Sequence, residues 1–131
     1  MGLKWLGIWL AGSVAAAFLA GHWITYARGG PQLAAFLLFG PLGEELLFRG
    51  LILDRAQAVW PVDPGMVVLL STVTFSLHHI QLHPDPFHGI ALAQLIFTIP
   101  MGIVFARLRL ITGTIWVPLL LHVATNLPAS F

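Results

Sequence analysis

One stretch decides the fold: Ala34-Ala-Phe-Leu-Leu-Phe-Gly-Pro-Leu-Gly-Glu-Glu-Leu-Leu-Phe-Arg-Gly-Leu-Ile-Leu53. It is long and apolar enough to cross a bilayer as a helix, yet it carries Glu44, Glu45 and Arg49 near its middle. Each charge at the centre of a spanning helix costs about 3 kcal/mol on insertion scales, so the three cost on the order of 9 kcal/mol unless they pair or face a wet cavity. Charges retained at that cost indicate a functional site inside the membrane.

The composition also places the chain in a membrane. Of the 131 residues, 58% are hydrophobic and only 8% are charged, which is far from the composition of a soluble domain. The formal net charge of +1 leaves no basic surface for a nucleic acid, so we expect no nucleic-acid partner. Because the chain has no cysteine, disulfides and thiolate chemistry are excluded. We therefore expect lipid as the main surroundings, with chemistry carried by Glu, His and Asn.

Short breaks rich in Gly, Pro and charge divide the chain into apolar stretches. This pattern predicts an all-α, polytopic membrane helix bundle of about five transmembrane helices, in one domain over residues 1–131. We expect an accessory first span within 1–31 and an active-site core formed by the last four helices within 32–128. The predicted spans are 5–27, 32–56, 66–82, 88–109 and 113–128.

The basic residues set the orientation of these spans. If the amino terminus is cytoplasmic, Lys4, Arg55, Arg107 and Arg109 lie inside, and Arg28 lies outside. The positive-inside rule favours this arrangement. We therefore expect an integral multi-pass protein with a cytoplasmic amino terminus, and the short loops and small size suit a bacterial cytoplasmic membrane.

Polar residues from three predicted spans reach one level of the membrane. At 1.5 Å per residue, Glu44, His79, His122 and Asn126 lie about 16, 20, 14 and 20 Å from the predicted cytoplasmic ends of their helices. Glu45 and Arg49 are four residues apart, as are His122 and Asn126, so each pair projects from one side of its helix. Lipid would leave these groups without hydrogen bonds, so they should face one another in a buried site.

The charges of Glu44, Glu45 and Arg49 do not cancel. Two carboxylates and one guanidinium leave one negative charge unbalanced in a medium of low dielectric. We therefore predict that the cluster holds an additional proton, on Glu44 or on His79. His78 projects about 100° away from His79 and is interpreted as a packing or interfacial residue.

Three short motifs that contain these polar residues resemble the motifs of a known protein family. Glu44-Glu-Leu-Leu-Phe-Arg49, Phe75-Ser-Leu-His-His79 and His122-Val-Ala-Thr-Asn126 read as EExxxR, FxxxH and HxxxN, in that order. They are similar to the three motifs of the CPBP intramembrane proteases, which comprise CAAX prenyl protease type 2 and bacteriocin-processing proteins and are also called the Abi family. The resemblance covers residues 32–128, and each motif falls inside a predicted helix.

The resemblance implies an intramembrane endopeptidase that hydrolyses peptide bonds with an activated water. Under it Glu44 is the base, His79 helps to hold the water, His122 and Asn126 stabilise the oxyanion, and the remaining pair shapes and balances the site. The substrate would be a peptide or a membrane-anchored protein, and no cofactor is expected. The candidate catalytic residues are Glu44, Glu45, Arg49, His79, His122 and Asn126.

Other interpretations stay open at this stage. A zinc-dependent, metalloprotease-like hydrolase would use Glu44, His79 and His122 as ligands and water as the fourth, although the HExxH motif is absent. A non-catalytic immunity or scaffold protein would use the polar cluster only to hold helices together, and intramembrane Glu and His also build proton or ion pathways. A homodimer is a further expectation, because larger members of the family carry extra spans around the motif core.

Overall fold

The structure, a computed structural model, describes residues 30–59, 63–81 and 89–127. Within these ranges every regular element is a helix and there is no strand, which confirms the predicted all-α class. The predicted first span, 5–27, lies outside the described residues. The architecture of about five spans therefore stays a prediction, and the four helices described below correspond to the expected core.

The first described helix, α1, is continuous and changes its width along its length. Two of its segments have the wider π-helical winding, and one of them ends at Phe39, two residues before Pro41. Proline lacks an N–H and its ring crowds the carbonyl four residues earlier, so local widening accommodates it inside a helix. The Gly40 N–H accordingly donates to the Ala35 carbonyl, five residues back. The segments of α1 are Gly30–Ala34, Ala35–Phe39 (π), Gly40–Glu45, Leu46–Leu53 (π) and Asp54–Val59.

Three regular helices follow: α2 is Pro64–Gln81, α3 is Gly89–Thr112 and α4 is Trp116–Asn126. The turn between α3 and α4 depends on Gly113, whose φ of +68° lies in the left-handed region that favours glycine. Its N–H donates to the Arg109 carbonyl at 3.0 Å and so ends α3. The predicted spans agree with the four helices to within three residues at each end, and the largest differences are at the later ends of α1 and α3 and the later start of α4.

One helix of the described ranges meets the length and apolarity needed to cross a bilayer. It covers Ala93–Thr112, within α3, whereas the apolar segment Pro64–Ile80 of α2 is shorter. This criterion uses length and composition only. Large apolar side chains are also exposed on the outer surface of the bundle, among them Ile96 at 75% and Ile111 at 80%. Such a surface suits contact with lipid.

The helices pack so that α3 contacts all the others. The most extensive contact is between α2 and α3, α1 lies against α2 through its second π segment, and α4 contacts α3 and the first half of α1. One apolar cluster lies among α1, α2 and α3, and a second lies on α3 and is covered by Leu121 of α4. The members are Leu53, Ala56, Val67, Val68 and Ala106 in the first, and Met101, Val104 and Phe105 in the second.

Candidate active site

Three helices bring a carboxylate and two imidazoles together. Glu44 on α1 lies with its Oε2 atom 3.7 Å from His79 Nε2 on α2 and 3.7 Å from His122 Nε2 on α4. Both distances exceed the range of a direct hydrogen bond. The Oε2 atom is buried and has no hydrogen-bond partner among the described residues. The three atoms therefore converge on one point without being joined.

The tautomer of His79 follows from its backbone contact. Its Nδ1 atom lies 2.9 Å from the Phe75 carbonyl oxygen, which can only accept a hydrogen bond. Nδ1 must therefore carry the proton and donate it, as expected for a histidine one turn after the carbonyl on the same helix. In the neutral ring the lone pair is then on Nε2, the atom that faces Glu44.

Glu45 forms a buried link between two helices. Its Oε1 atom accepts from Arg49 Nη1 at 3.1 Å and lies 2.9 Å from His122 Nδ1. Glu45 and Arg49 have no solvent-exposed side-chain surface, and His122 retains 7%. Because the guanidinium keeps this carboxylate paired with a positive charge, the carboxylate acts as the acceptor and His122 Nδ1 donates. The second imidazole thus also presents Nε2 to Glu44.

Arg49 is held by aromatic rings as well as by Glu45. Its Cζ atom lies 4.2 Å from the ring centroid of Phe75 and 5.2 Å from that of Phe105, within the range of cation–π contacts. Its Nη2 atom also points to the Gly102 carbonyl oxygen at 3.5 Å, the upper limit for a hydrogen bond. These contacts keep the cation in place where no water solvates it.

The rings of Phe75 and Phe105 also contact the histidines. Phe75 meets His79 edge-to-face with centroids 4.7 Å apart, and it meets His122 at 5.8 Å and 82°. Phe105 lies 5.1 Å from His122 with only 30° between the ring planes. Both phenylalanines are 1% exposed. The imidazoles are therefore fixed by packing in addition to their Nδ1 hydrogen bonds.

Two interhelical contacts keep the backbone of this region close-packed. The Ser71 hydroxyl on α2 donates to the Phe48 carbonyl in the second π segment of α1, at 2.9 Å. At Gly102 on α3 an added Cβ would lie 3.0 Å from Thr72 Cγ2, 3.2 Å from Thr72 Cα and 3.3 Å from Phe75 Cδ1. The approach of α3 to α2 is therefore tight at this position, and a Cβ there would require Thr72 or Phe75 to shift by a few tenths of an ångström.

Glu44, Glu45, Arg49, His79 and His122 of the predicted site contact one another in one network. Asn126 is the last residue of α4, one turn beyond His122, and is partly buried. The His78 ring packs 5.6 Å from Phe48 and 5.9 Å from His79. The intrahelical pairing of Glu45 with Arg49 was expected from the spacing, whereas the link from Glu45 to His122 was not.

Sequence reasoning missed three contributors to the site. Ser71 is a small polar residue in an apolar span and could have been noticed for that reason, and Gly102 is a small residue of the kind that close helix packing in a membrane uses. Phe105 has no signal in the sequence, because it lies in a helix without a motif. Its role depends on which face of α3 is turned toward α1 and α4.

The carboxylate of Glu44 and the imidazoles of His79 and His122 are groups that can bind a metal cation as well as a proton. Glu44 Oε2 and the two Nε2 atoms are oxygen and imidazole ligands of the kind zinc prefers. Among the described residues, however, no group of three or more His, Asp and Glu side chains has the arrangement of a metal site. The chemistry that these three atoms support directly is hydrogen bonding to a small polar molecule.

Comparison with known proteins identifies the family of the chain. The chain matches the family model described as type II CAAX prenyl endopeptidase Rce1-like over residues 27–128. The chain belongs to this Rce1-like family. No curated protein and no solved structure matches it. The family match includes all three motifs and confirms the resemblance inferred from their residues.

Rce1-like membership has two direct consequences. The family is one of endopeptidases, so it implies a protease. Together with the apolar helix Ala93–Thr112, it also indicates a membrane protein. Both agree with the composition of the chain and with the apolar outer surface of the bundle.

Proposed function

We propose that this protein is an intramembrane endopeptidase in which Glu44 activates a water molecule for attack on a peptide bond. The observation that carries the proposal is the position of Glu44 Oε2, 3.7 Å from the Nε2 atoms of both His79 and His122. Glu44 is 20% exposed and His79 is 16% exposed, whereas Glu45 is fully buried. The Glu44 and His79 side chains are therefore partly accessible, although Glu44 Oε2 itself is buried, whereas Glu45 has no accessible surface. This difference favours Glu44 as the base.

The distance between Glu44 and His79 suits a bridging water. Two atoms 3.7 Å apart can both hydrogen-bond to one water at about 2.8 Å from each. Neutral His79 has its lone pair on Nε2, so such a water donates one hydrogen to the imidazole and the other to the carboxylate. The lone pairs of the water oxygen are then free to attack a carbonyl carbon.

His122 is placed to stabilise the oxyanion. Its Nδ1 proton is donated to Glu45, and a second proton on Nε2 would make the ring a cation. The charges of Glu44, Glu45, Arg49 and His122 would then sum to zero, which a desolvated site favours. We therefore propose that His122 carries the additional proton required by the excess of carboxylates, instead of Glu44 or His79 as the sequence suggested. Asn126, one turn later, would supply an amide N–H.

The proposed hydrolysis has two steps, the addition of water to the peptide carbonyl and the cleavage of the carbon–nitrogen bond. Glu44 takes a proton from the water as its oxygen bonds to the peptide carbon, and the negative charge of the resulting tetrahedral oxygen is met by His122 and Asn126. The carbon–nitrogen bond breaks as Glu44 returns the proton to the leaving amine. The products are a carboxylic acid and an amine, and Glu44 is ready for another cycle.

The substrate is proposed to be a peptide or a membrane-anchored protein that reaches the site from the lipid. The family description names a prenyl endopeptidase, which makes a prenylated carboxyl-terminal peptide the first candidate. No cofactor is proposed, and a homodimer stays a prediction.

The proposed topology is multi-pass with a cytoplasmic amino terminus in a bacterial cytoplasmic membrane. Arg109 Nη2 lies 2.7 Å from Asp54 Oδ2, so the ends of α3 and α1 meet on one side of the bundle, together with Arg55 and Arg107. The positive-inside rule favours the cytoplasm for that side. Because the chain has no cysteine, Arg55→Cys can be labelled in intact cells and in inverted vesicles, and labelling from outside intact cells would contradict this orientation.

The catalytic proposal is tested by cleavage of a farnesylated peptide and its unmodified counterpart, with protein in vesicles and products identified by mass spectrometry. Glu44→Gln keeps the shape of the side chain and removes the base, so we expect a loss of at least about 100-fold. Asp54→Asn is the matched control, because it is the same chemical change at an acid outside the site. Equal activity of the Glu44→Gln variant and the wild type would refute the proposal.

Two alternatives are distinguished by a chelator in the cleavage assay and by a phenotype in cells. Loss of cleavage on treatment with a strong chelator, with recovery on addition of zinc, would indicate the zinc-dependent hydrolase with Glu44, His79 and His122 as ligands. A cellular phenotype that survives both Glu44→Gln and His79→Gln in folded protein would indicate the immunity or scaffold function. Chelator-resistant cleavage that depends on Glu44 would support the water mechanism.

A further inference from the structure

We propose that Phe105 of α3 is a positioning residue for peptide hydrolysis, acting through His122 and Arg49. This inference rests on the proposed function and extends it to a helix that carries none of the three motifs. Phe105 does not touch the atoms that would react. It holds the two side chains that flank Glu45 and thereby orients the histidine opposite Glu44.

The Phe105 ring contacts both His122 and Arg49. The Phe105 centroid lies 5.1 Å from that of His122, with 30° between the planes, and 5.2 Å from the Arg49 guanidinium carbon. An imidazole stacked in this way can rotate about its terminal torsion only by losing the contact with the ring. The Nδ1 bond to Glu45 restrains the same torsion. Phe105 and Glu45 thus fix the direction of His122 Nε2 from two sides.

The positive charges next to Phe105 also favour an aromatic ring at this position. The face of an aromatic ring attracts a cation, and the effect is larger where water is excluded. Phe105 is 1% exposed and lies next to Arg49 and to an imidazole that would be cationic during oxyanion stabilisation. A leucine of similar size would fill most of the space but would supply neither the flat surface nor the negative ring face.

Phe75 does not make Phe105 redundant. It also contacts Arg49, at 4.2 Å, but it meets His122 edge-to-face at 82° and a longer centroid distance of 5.8 Å. An edge leaves the imidazole free to slide, whereas the Phe105 ring, tilted by 30°, lies closer and against its face. Loss of Phe105 should therefore affect His122 more strongly than His79, whose own ring contacts Phe75 at 4.7 Å.

The test compares Phe105→Leu with Phe97→Leu in the full chain. Phe97 lies on the same helix and packs against the same apolar cluster, but is only partly buried. We expect Phe105→Leu to lower kcat about 10- to 100-fold with KM changed less than about twofold, as for small misplacements of catalytic groups. Phe97→Leu should leave kcat within about twofold. Equal kcat for the two variants at matched folded fractions would overturn the proposal.

A spectroscopic measurement separates this inference from the proposed function. Imidazole ¹⁵N signals of histidine-labelled protein, assigned with His79→Gln and His122→Gln, report ring protonation and hydrogen bonding without any turnover. Phe105→Leu should shift the His122 signals and leave those of His79 in place, whereas Phe97→Leu should shift neither. Unchanged His122 signals in Phe105→Leu would overturn the positioning role even if cleavage were observed. Shifted signals without cleavage in the wild type would support the positioning role and refute only the proposed function.

Discussion

Glu45 Oε1 lies 2.9 Å from His122 Nδ1, although 77 positions separate the two residues in the chain. The same oxygen accepts from Arg49 at 3.1 Å, so one buried carboxylate joins a cation of its own helix to an imidazole of another. The contact sets which nitrogen of His122 faces Glu44. The two adjacent acidic residues differ in their surroundings, since Glu45 is buried and paired whereas the Glu44 side chain is partly accessible.

Removal of Arg49 should cost more than removal of the whole ion pair. In Arg49→Met the Glu45 carboxylate stays buried without its cation, so we expect a loss of about 3–5 kcal/mol in the free energy of unfolding. In the double variant with Glu45→Gln much of this loss should be recovered, because no uncompensated charge remains and the amide oxygen still accepts from His122. Reversible unfolding in mixed detergent measures both.

Arg55→Met is the control for this pair, because Arg55 is exposed and outside the network. It should change the free energy of unfolding by less than about 0.5 kcal/mol. An equal effect of Arg55→Met and Arg49→Met would show that the buried pair is not an energetic unit.

Two serines of α2 should respond differently to alanine. The Ser71 hydroxyl donates to the Phe48 carbonyl at 2.9 Å, so Ser71→Ala leaves a buried carbonyl without that donor and should cost about 1–3 kcal/mol. The Ser76 hydroxyl is equally buried but has no hydrogen-bond partner in the described structure. Ser76→Ala should therefore be neutral or stabilising. The two unfolding free energies, compared in one detergent, test the assignment, and a reversed order would contradict it.

Two glycines should also differ when changed to alanine. A Cβ at Gly102 would lie 3.0 Å from Thr72 Cγ2 and 3.2 Å from Thr72 Cα, so α2 and α3 must move apart, at a cost of about 1–3 kcal/mol. A Cβ at Gly43 would meet nothing within 4 Å in the described structure. Gly43→Ala should therefore gain up to about 1 kcal/mol from helix propensity. Thermal midpoints of both variants give the comparison, and equal shifts would argue against close packing at Gly102.

The ring of His79 should be protonated on Nδ1 in its neutral form. The reason is the Phe75 carbonyl, 2.9 Å away, which accepts a hydrogen bond and cannot donate one. The ¹⁵N spectrum of histidine-labelled protein should show one protonated and one unprotonated ring nitrogen, with the unprotonated atom assigned to Nε2. The signal is identified by its loss in His79→Gln. A proton on Nε2 of the neutral ring would remove the proposed acceptor for water.

Helical periodicity predicted the contacts within a helix and left those between helices open. The four-residue spacing of Glu45 and Arg49 predicted their pairing, which is present at 3.1 Å. Nothing in the spacing could show that Glu45 also reaches His122, because that depends on the rotation and height of α4 relative to α1. Phe105 was missed for the same reason, since its own helix carries none of the three motifs and its contacts with Arg49 and His122 depend on how α3 is rotated against α1 and α4.

The sequence by itself determined the apolar composition, the helical class, the family and the identity of the polar residues, because these depend on residue types and on spacing along one chain. Only the tertiary structure decided that Nε2 of both histidines faces Glu44, that Glu45 is the buried member of the acidic pair, and that Phe105 joins the site. Those features depend on how neighbouring helices pack, and packing is set by contacts such as that of Gly102 with Thr72, between residues far apart in sequence.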